Sequence, residues 1–202
     1  KPIRSLLVHV DGTPRCAARL KIARSLATDL GASLTGLFAA SPPLTDLPYG
    51  YAGGAIPLQA LQDMRAKWRS DAKAAFNSAF KGSEAKAAWA ELDDDPVIYG
   101  FAQQALHADL LVLGQHDPND PLAQELPSDF VQSVLIDSGR PALVVPYAGD
   151  IATVGRKVLI AWKASRESAR AVSAALPLLQ RAEQVHVVSW PEDEPAAVRG
   201  KT

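Results

Sequence analysis

Short apolar runs alternate with amphipathic stretches along most of the chain. Ser5 to Val10 (SLLVHV), Leu34 to Ala39, Lys86 to Leu92, Leu110 to Leu113 and Ala142 to Val145 are of strand length, and their near-continuous apolar character predicts strands buried on both faces. Between them the spacing changes to three and four. Cys16, Leu20, Ala23, Ala27 and Leu30 share one helical face, closed by Gly31. Leu61, Met64, Trp68, Ala72, Ala75 and Ala79 share a second within residues 58–81. Ile98, Phe101, Ala102 and Ala105 form a third, and Phe130, Val131, Val134 and Leu135 a fourth. Five strands alternating with four helices predict an α/β fold, an open doubly wound parallel sheet, because parallel neighbours need a helical crossover.

Local chemistry marks where these elements begin. Asp11-Gly12-Thr13-Pro14 predicts a turn with Thr13 as N-cap and Pro14 at the first helical position. Asp93-Asp94-Asp95-Pro96 reads as a set of capping acids rather than a metal site, since carboxylates satisfy free N–H groups at a helix start. Ser128 reads as a further N-cap. Ser41 to Pro57 carries too many prolines and glycines for regular structure, and its length suggests a lid or a mobile loop.

After residue 149 the pattern starts again. Lys157 to Trp162 predicts a strand, Ser165 caps a helix bearing Ala169, Val172, Leu176 and Leu179, and Val185 to Ser189 predicts another strand. Setting Ser165 on Thr13, an offset of 152, superposes strand, cap and helix face. The expected organisation is a complete domain over residues 1–149 and a partial second copy, β-α-β only, over residues 155–202.

Composition narrows the partners. The 202 residues hold one good core. With 21 basic and 22 acidic residues the net charge is −1, which offers no nucleic-acid surface. No apolar run approaches the roughly 18 residues of a membrane span, and no charged-then-apolar leader is visible. A single cysteine, Cys16, cannot form an internal disulfide and suits a reducing cytoplasm, the expected location. Its place on a helix face makes it a small core residue.

Three stretches carry a family resemblance: Val10-Asp11-Gly12-Thr13, the run AWKASRESARAV from Ala161 to Val172, and ADLLVLG (Ala108 to Gly114) together with PALVVP (Pro141 to Pro146). Through them nearly the whole chain resembles the tandem members of the universal stress protein family. The resemblance implies an adenine-nucleotide-hydrolase-like sheet of order 3-2-1-4-5, with a site in the crevice after the fourth strand. Members that bind ATP carry Gly-x2-Gly-x9-Gly-Ser/Thr there. Counted from Gly114, those positions are Gly114, Asp117, Pro127 and Ser128. The spacing is kept, and two of the three glycines are replaced. By the same resemblance Asp11, in the turn with Gly12, would lie near a ribose or metal-phosphate group, and Phe38 and Ala39 would face an adenine. The cofactor-binding candidates are therefore Asp11, Gly12, Phe38, Ala39, Gly114 and Ser128.

The replacements bear on phosphate binding directly. Glycines let the backbone approach phosphates, and a helix N-terminus offers free N–H groups. Pro127 has no N–H and fixes φ. Asp117 adds an anion, with Asp120, Glu125 and Asp129 in the same loop, inside a screening length of about 8 Å. ATP is disfavoured on this reading, and no catalytic residue or metal ligand is expected. In the second copy Lys163 and Ala164 stand at the positions of Asp11 and Gly12. His116, beside Asp117, has no nucleophile in place for chemistry.

Other functions on this architecture lack their residues. A phosphoacceptor receiver needs a lysine after the fifth strand, where Val145-Pro146-Tyr147 stands. A dinucleotide oxidoreductase needs Gly-x-Gly-x-x-Gly after the first strand, and a serine hydrolase a Gly-x-Ser-x-Gly elbow. The expectation is a universal stress protein-like regulatory or interaction protein with a degenerate nucleotide loop, working through dimerisation and an unidentified protein partner. The alternative is a stress protein that binds ATP or AMP and whose state follows nucleotide occupancy. The expected assembly is a homodimer, through the edge strand Ala142–Val145 or by exchange of the partial copies.

Overall fold

The computed structural model describes residues 2–40, 58–92, 96–119, 126–149, 151 and 153–189. The chain divides into two compact units, Pro2–Ile151 and Ala152–Thr202.

In the first unit β1 (Ser5–Val10), α1 (Cys16–Leu30), β2 (Ser33–Phe38), α2 (Leu58–Phe80), β3 (Ala87–Glu91), α3 (Val97–Ala105), β4 (Leu110–Gly114), α4 (Phe130–Ser138) and β5 (Ala142–Val145) follow in strict alternation. The five strands form one sheet in the order β3-β2-β1-β4-β5, and every pair is parallel. This is the expected doubly wound order. The first two crossovers move one way from β1 and the last two the other way. Since crossovers are right-handed, α1 packs with α2 and α3 with α4, one pair on each face. One half of the core lies where Leu7, Leu37, Leu111 and Leu113 meet Phe101, Phe130 and Val134. At the opposite end from the site, the Asp109 carboxylate accepts from the backbone N–H of Arg4 (3.0 Å) and Ser5 (3.2 Å), which fixes the β1–β4 register.

Several local expectations change in detail. Thr13 does not cap α1. Arg15 holds the N-cap position with no side-chain cap bond, and Pro14 stays in the preceding turn. Thr13 turns its hydroxyl to Asp11 instead, and so is unavailable to the helix. Ser128 is likewise not the cap of α4; Asp129 stands there, and its carboxylate accepts from the Ser133 hydroxyl at 3.0 Å rather than from a backbone N–H. Pro96 occupies the N-cap position of α3, one residue earlier than expected, because its ψ of 135° is extended. Gly31 ends α1 as expected, in the left-handed region at φ 63°. On α2 the inner face is the expected one, with Ala72 fully buried, but among its described side chains the largest buried one is Phe76. The lid loop Ser41–Pro57 and the acids Asp93 to Asp95 lie outside the described residues, as does the Leu61 side chain.

The second unit pairs β6 (Lys157–Trp162) with β7 (Gln184–Ser189) in parallel across α5 (Arg166–Leu179). The Ser165 hydroxyl accepts from the Ser168 N–H at 3.2 Å, the N-cap expected there. None of the α5 residues is buried, and Leu159 and Val187 are 63% and 65% exposed.

Candidate functional site

The sheet changes winding direction between β1 and β4, where connections leave to opposite faces and a crevice opens beyond the strand ends. A cleft of about 540 Å³, counted with its open mouth, lies there. Asp11 and Thr13 from the β1 exit, Arg15 and Arg19 from α1, and Gly114 to Asp117 from the β4 exit form its wall. Leu126 to Ser128, Phe130 and Val131 at the start of α4, with Tyr147 after β5, complete it. The hydrogen bond from Arg15 Nη1 to the Gly149 carbonyl, 3.1 Å, ties the chain beyond β5 to the start of α1.

The inner end of the cleft is built on a buried charge pair. Asp11 and Arg19 are 5% and 3% exposed, and Arg19 Nη2 lies 2.7 Å from Asp11 Oδ2. Arg19 Nε donates to the His9 carbonyl at 2.7 Å. The other carboxylate oxygen, Oδ1, accepts from Thr13 N (3.1 Å) and Thr13 Oγ1 (2.6 Å). Burial by itself would raise the Asp11 pKa. Arg19, His9 and the two Thr13 hydrogen bonds outweigh it and hold the carboxyl below the ordinary range. For Arg19 burial works to lower the pKa, and Asp11 turns the balance upward.

His9 completes the network from beneath. Its Nε2 is 2.9 Å from the Ala39 carbonyl, which can only accept, so Nε2 carries the proton. Nδ1 then faces Asp11 Oδ2 at 3.4 Å. The ring is packed against Phe101 and Phe130, with centroids 5.7 and 5.1 Å away. Burial among them lowers the His9 pKa from 6.5 to about 4 despite the neighbouring carboxylate. Cys16 is buried as expected, and burial pushes its thiol up to about 11, which makes it inert.

No family model matches the chain, and no curated protein matches it by sequence. Solved structures do match. The universal stress protein UspA from Lactobacillus plantarum superposes over 72% of this chain and 99% of its own, at 20% identity and a TM-score of 0.51. A universal stress protein from Archaeoglobus fulgidus DSM 4304 superposes over 94% of this chain at 15% identity and a TM-score of 0.63. The chain spans 66% of the length of that protein. The fold is that of the universal stress proteins.

Within the universal stress protein fold, the candidate residues divide. Asp11, Gly114, Asp117, Pro127 and Ser128 come together around the cleft. Gly12, Phe38 and Ala39 do not line it. Phe38 is fully buried and stacks on Trp89 at 6.2 Å, while Ala39 is buried and offers its carbonyl to His9. Asp120 and Glu125 lie outside the described residues. Asp117 Oδ1 accepts from Asn119 N at 2.9 Å, an Asx-type turn that shapes the loop. Gly114 does not use a positive φ. Its missing side chain makes room instead: a Cβ there would collide with Arg19 Nη1.

Arg19 is the residue the sequence reading passed over, although a signal was present. It stands three residues after Cys16 and four before Ala23, on the buried face of α1, where a charge needs a partner.

These residues do not fit an adenine nucleotide. Pro127 offers no N–H to a phosphate, Asp117 sets an anion at the cleft, and the Asp11 carboxylate is already held by Thr13 and paired with Arg19. Among the described residues no group of three or more His, Cys, Asp or Glu could hold a metal ion.

Proposed function

We propose that this protein is a universal stress protein-like regulatory or interaction protein whose nucleotide loop is degenerate, and that it works in a stress response through dimerisation and partner binding. The observation that carries the reading is the state of the Asp11 carboxylate. Both oxygens are engaged inside the protein, Oδ1 by Thr13 and Oδ2 by Arg19, so the group the resemblance assigns to a ribose or a metal-phosphate is already paired with an internal cation. Pro127 and Asp117 at the cleft rim act in the same sense. Residues 155–202 are read as a partial second copy, supported by the shared order of strand, helix and parallel strand.

Two chains pair through β5 or exchange their partial copies. β5 is the outermost strand of its sheet, Val144 on it is 37% exposed, and Ile136 on the adjoining α4 is 80% exposed. Among the described residues no helix is long and apolar enough to cross a membrane, and the balanced charge argues against a nucleic-acid partner.

Isothermal titration of the full chain with ATP and magnesium tests the central part. The reading expects no heat of binding at micromolar protein. Micromolar affinity would favour the other reading, a protein whose state follows ATP or AMP occupancy, for which the retained Gly114 and Ser128 at the cleft speak.

A further inference from the structure

We propose that Arg19 is the resident occupant of the cleft and the residue that decides what the cleft refuses. The inference rests on the nucleotide-free reading above and assigns its cause to one side chain rather than to the loop.

The cleft wall at its inner end consists of the Asp11 carboxylate, the Gly114 backbone and the guanidinium lying against both. Arg19 Nη2 takes Asp11 Oδ2 at 2.7 Å, Nε takes the His9 carbonyl at 2.7 Å, and Nη1 lies where a Gly114 side chain would be. A planar guanidinium is well suited to such a position, because its donors are fixed in direction and its charge is not lost at any ordinary pH. The glycine after β4 thus serves an internal cation. A ligand hydroxyl or a metal-bound phosphate seeking Asp11 meets a carboxylate already neutralised and a wall already filled. The pair also cancels the positive charge that a buried arginine would otherwise present to an anion.

A consequence separates this cause from the loop substitutions. Restoring glycine at Asp117 and Pro127 repairs only the rim, and the inner end stays closed. The full chain carrying Asp117→Gly with Pro127→Gly is therefore expected to bind ATP and magnesium no better than the unaltered protein. Adding Arg19→Ala to that pair frees charge-assisted acceptors on Asp11 and is expected to tighten binding by at least about tenfold. Equal affinity with and without Arg19→Ala would overturn the inference. Micromolar binding by the unaltered protein would instead sink the nucleotide-free reading, so the two failures are distinct.

Arg19→Ala leaves a buried carboxylate without its cation, and the variant is expected to melt early. A second measurement reads the same vacated space without nucleotide. Guanidinium ion at tens of millimolar should raise the melting temperature of Arg19→Ala while lowering that of the unaltered protein, with sodium chloride at equal ionic strength as control. Absence of rescue by guanidinium would show that Arg19 does not fill a discrete site, and the inference would fall.

Discussion

At the scale of single residues, the cleft is governed by how three buried polar groups share their charges. Asp11 is anionic, Arg19 cationic, and His9 neutral, with its one ring proton committed to Ala39. A histidine whose pKa falls from 6.5 to about 4 on folding binds its proton more readily in the unfolded chain. Between those values the unfolded state holds more protons, so folding stability is full above pH 6.5 and is lost as pH falls toward 4. Asp11, also depressed, adds a loss in the same direction at still lower pH. Denaturant unfolding between pH 7 and pH 4.5 should show stability falling by up to roughly 1.4 kcal/mol per pH unit. His9→Gln keeps a donor for Ala39 and removes the titration, so its slope over that window should be much shallower. An identical slope in the variant, or a flat profile in the unaltered protein, would place the pH dependence elsewhere.

At the scale of elements, β5 joins the sheet on one side only. The Leu111 and Gln115 N–H groups donate to the carbonyls of Pro141 and Val145, and the parallel ladder alternates with a period of two. The N–H groups of Ala142 and Val144 therefore face the outer edge. Val144→Pro deletes one outward donor without touching the β4 ladder, a substitution that edge strands tolerate. If dimers form by edge pairing, light scattering at micromolar concentration should show the unaltered chain as a dimer and Val144→Pro as a monomer. A dimer that survives the change would move the contact to exchange of residues 155–202.

The elements were also the most legible part of the sequence. The strand and helix periods predicted every described strand and helix, because burial on two faces or one leaves a direct trace in residue order. Capping was less legible. Ser165 caps as its type suggests, but the Thr13 hydroxyl and the Asp129 carboxylate found partners other than a helix N–H. Sequence shows that such a side chain can cap a helix and not which competitor takes it. The candidate site divided in the same way. Loop spacing brought Gly114, Asp117, Pro127 and Ser128 to one cleft, whereas Phe38 and Ala39 went into the core, since the end of β2 is covered on both faces. The place of Arg19 on the buried face of α1 signalled that it needs a partner, but not which one, because Asp11 and Gly114 are eight and 95 positions away.

At the scale of the whole molecule, the first unit has the universal stress protein sheet with a cleft at its switch point, and the inner wall of that cleft is a buried ion pair. On the proposed reading, in which no outside ligand takes the crevice, the β5 edge and the helix faces are the surfaces left for action. The second unit exposes apolar residues on both its strands, Leu159 on β6 and Val187 on β7 among them.

Mass spectrometry of the small molecules released when the purified full chain is denatured tests this account most directly. A nucleotide held tightly enough to matter would survive purification and appear close to one per chain. The account predicts that no adenine nucleotide is released in appreciable proportion to protein. Near-stoichiometric release of ATP or AMP would contradict it.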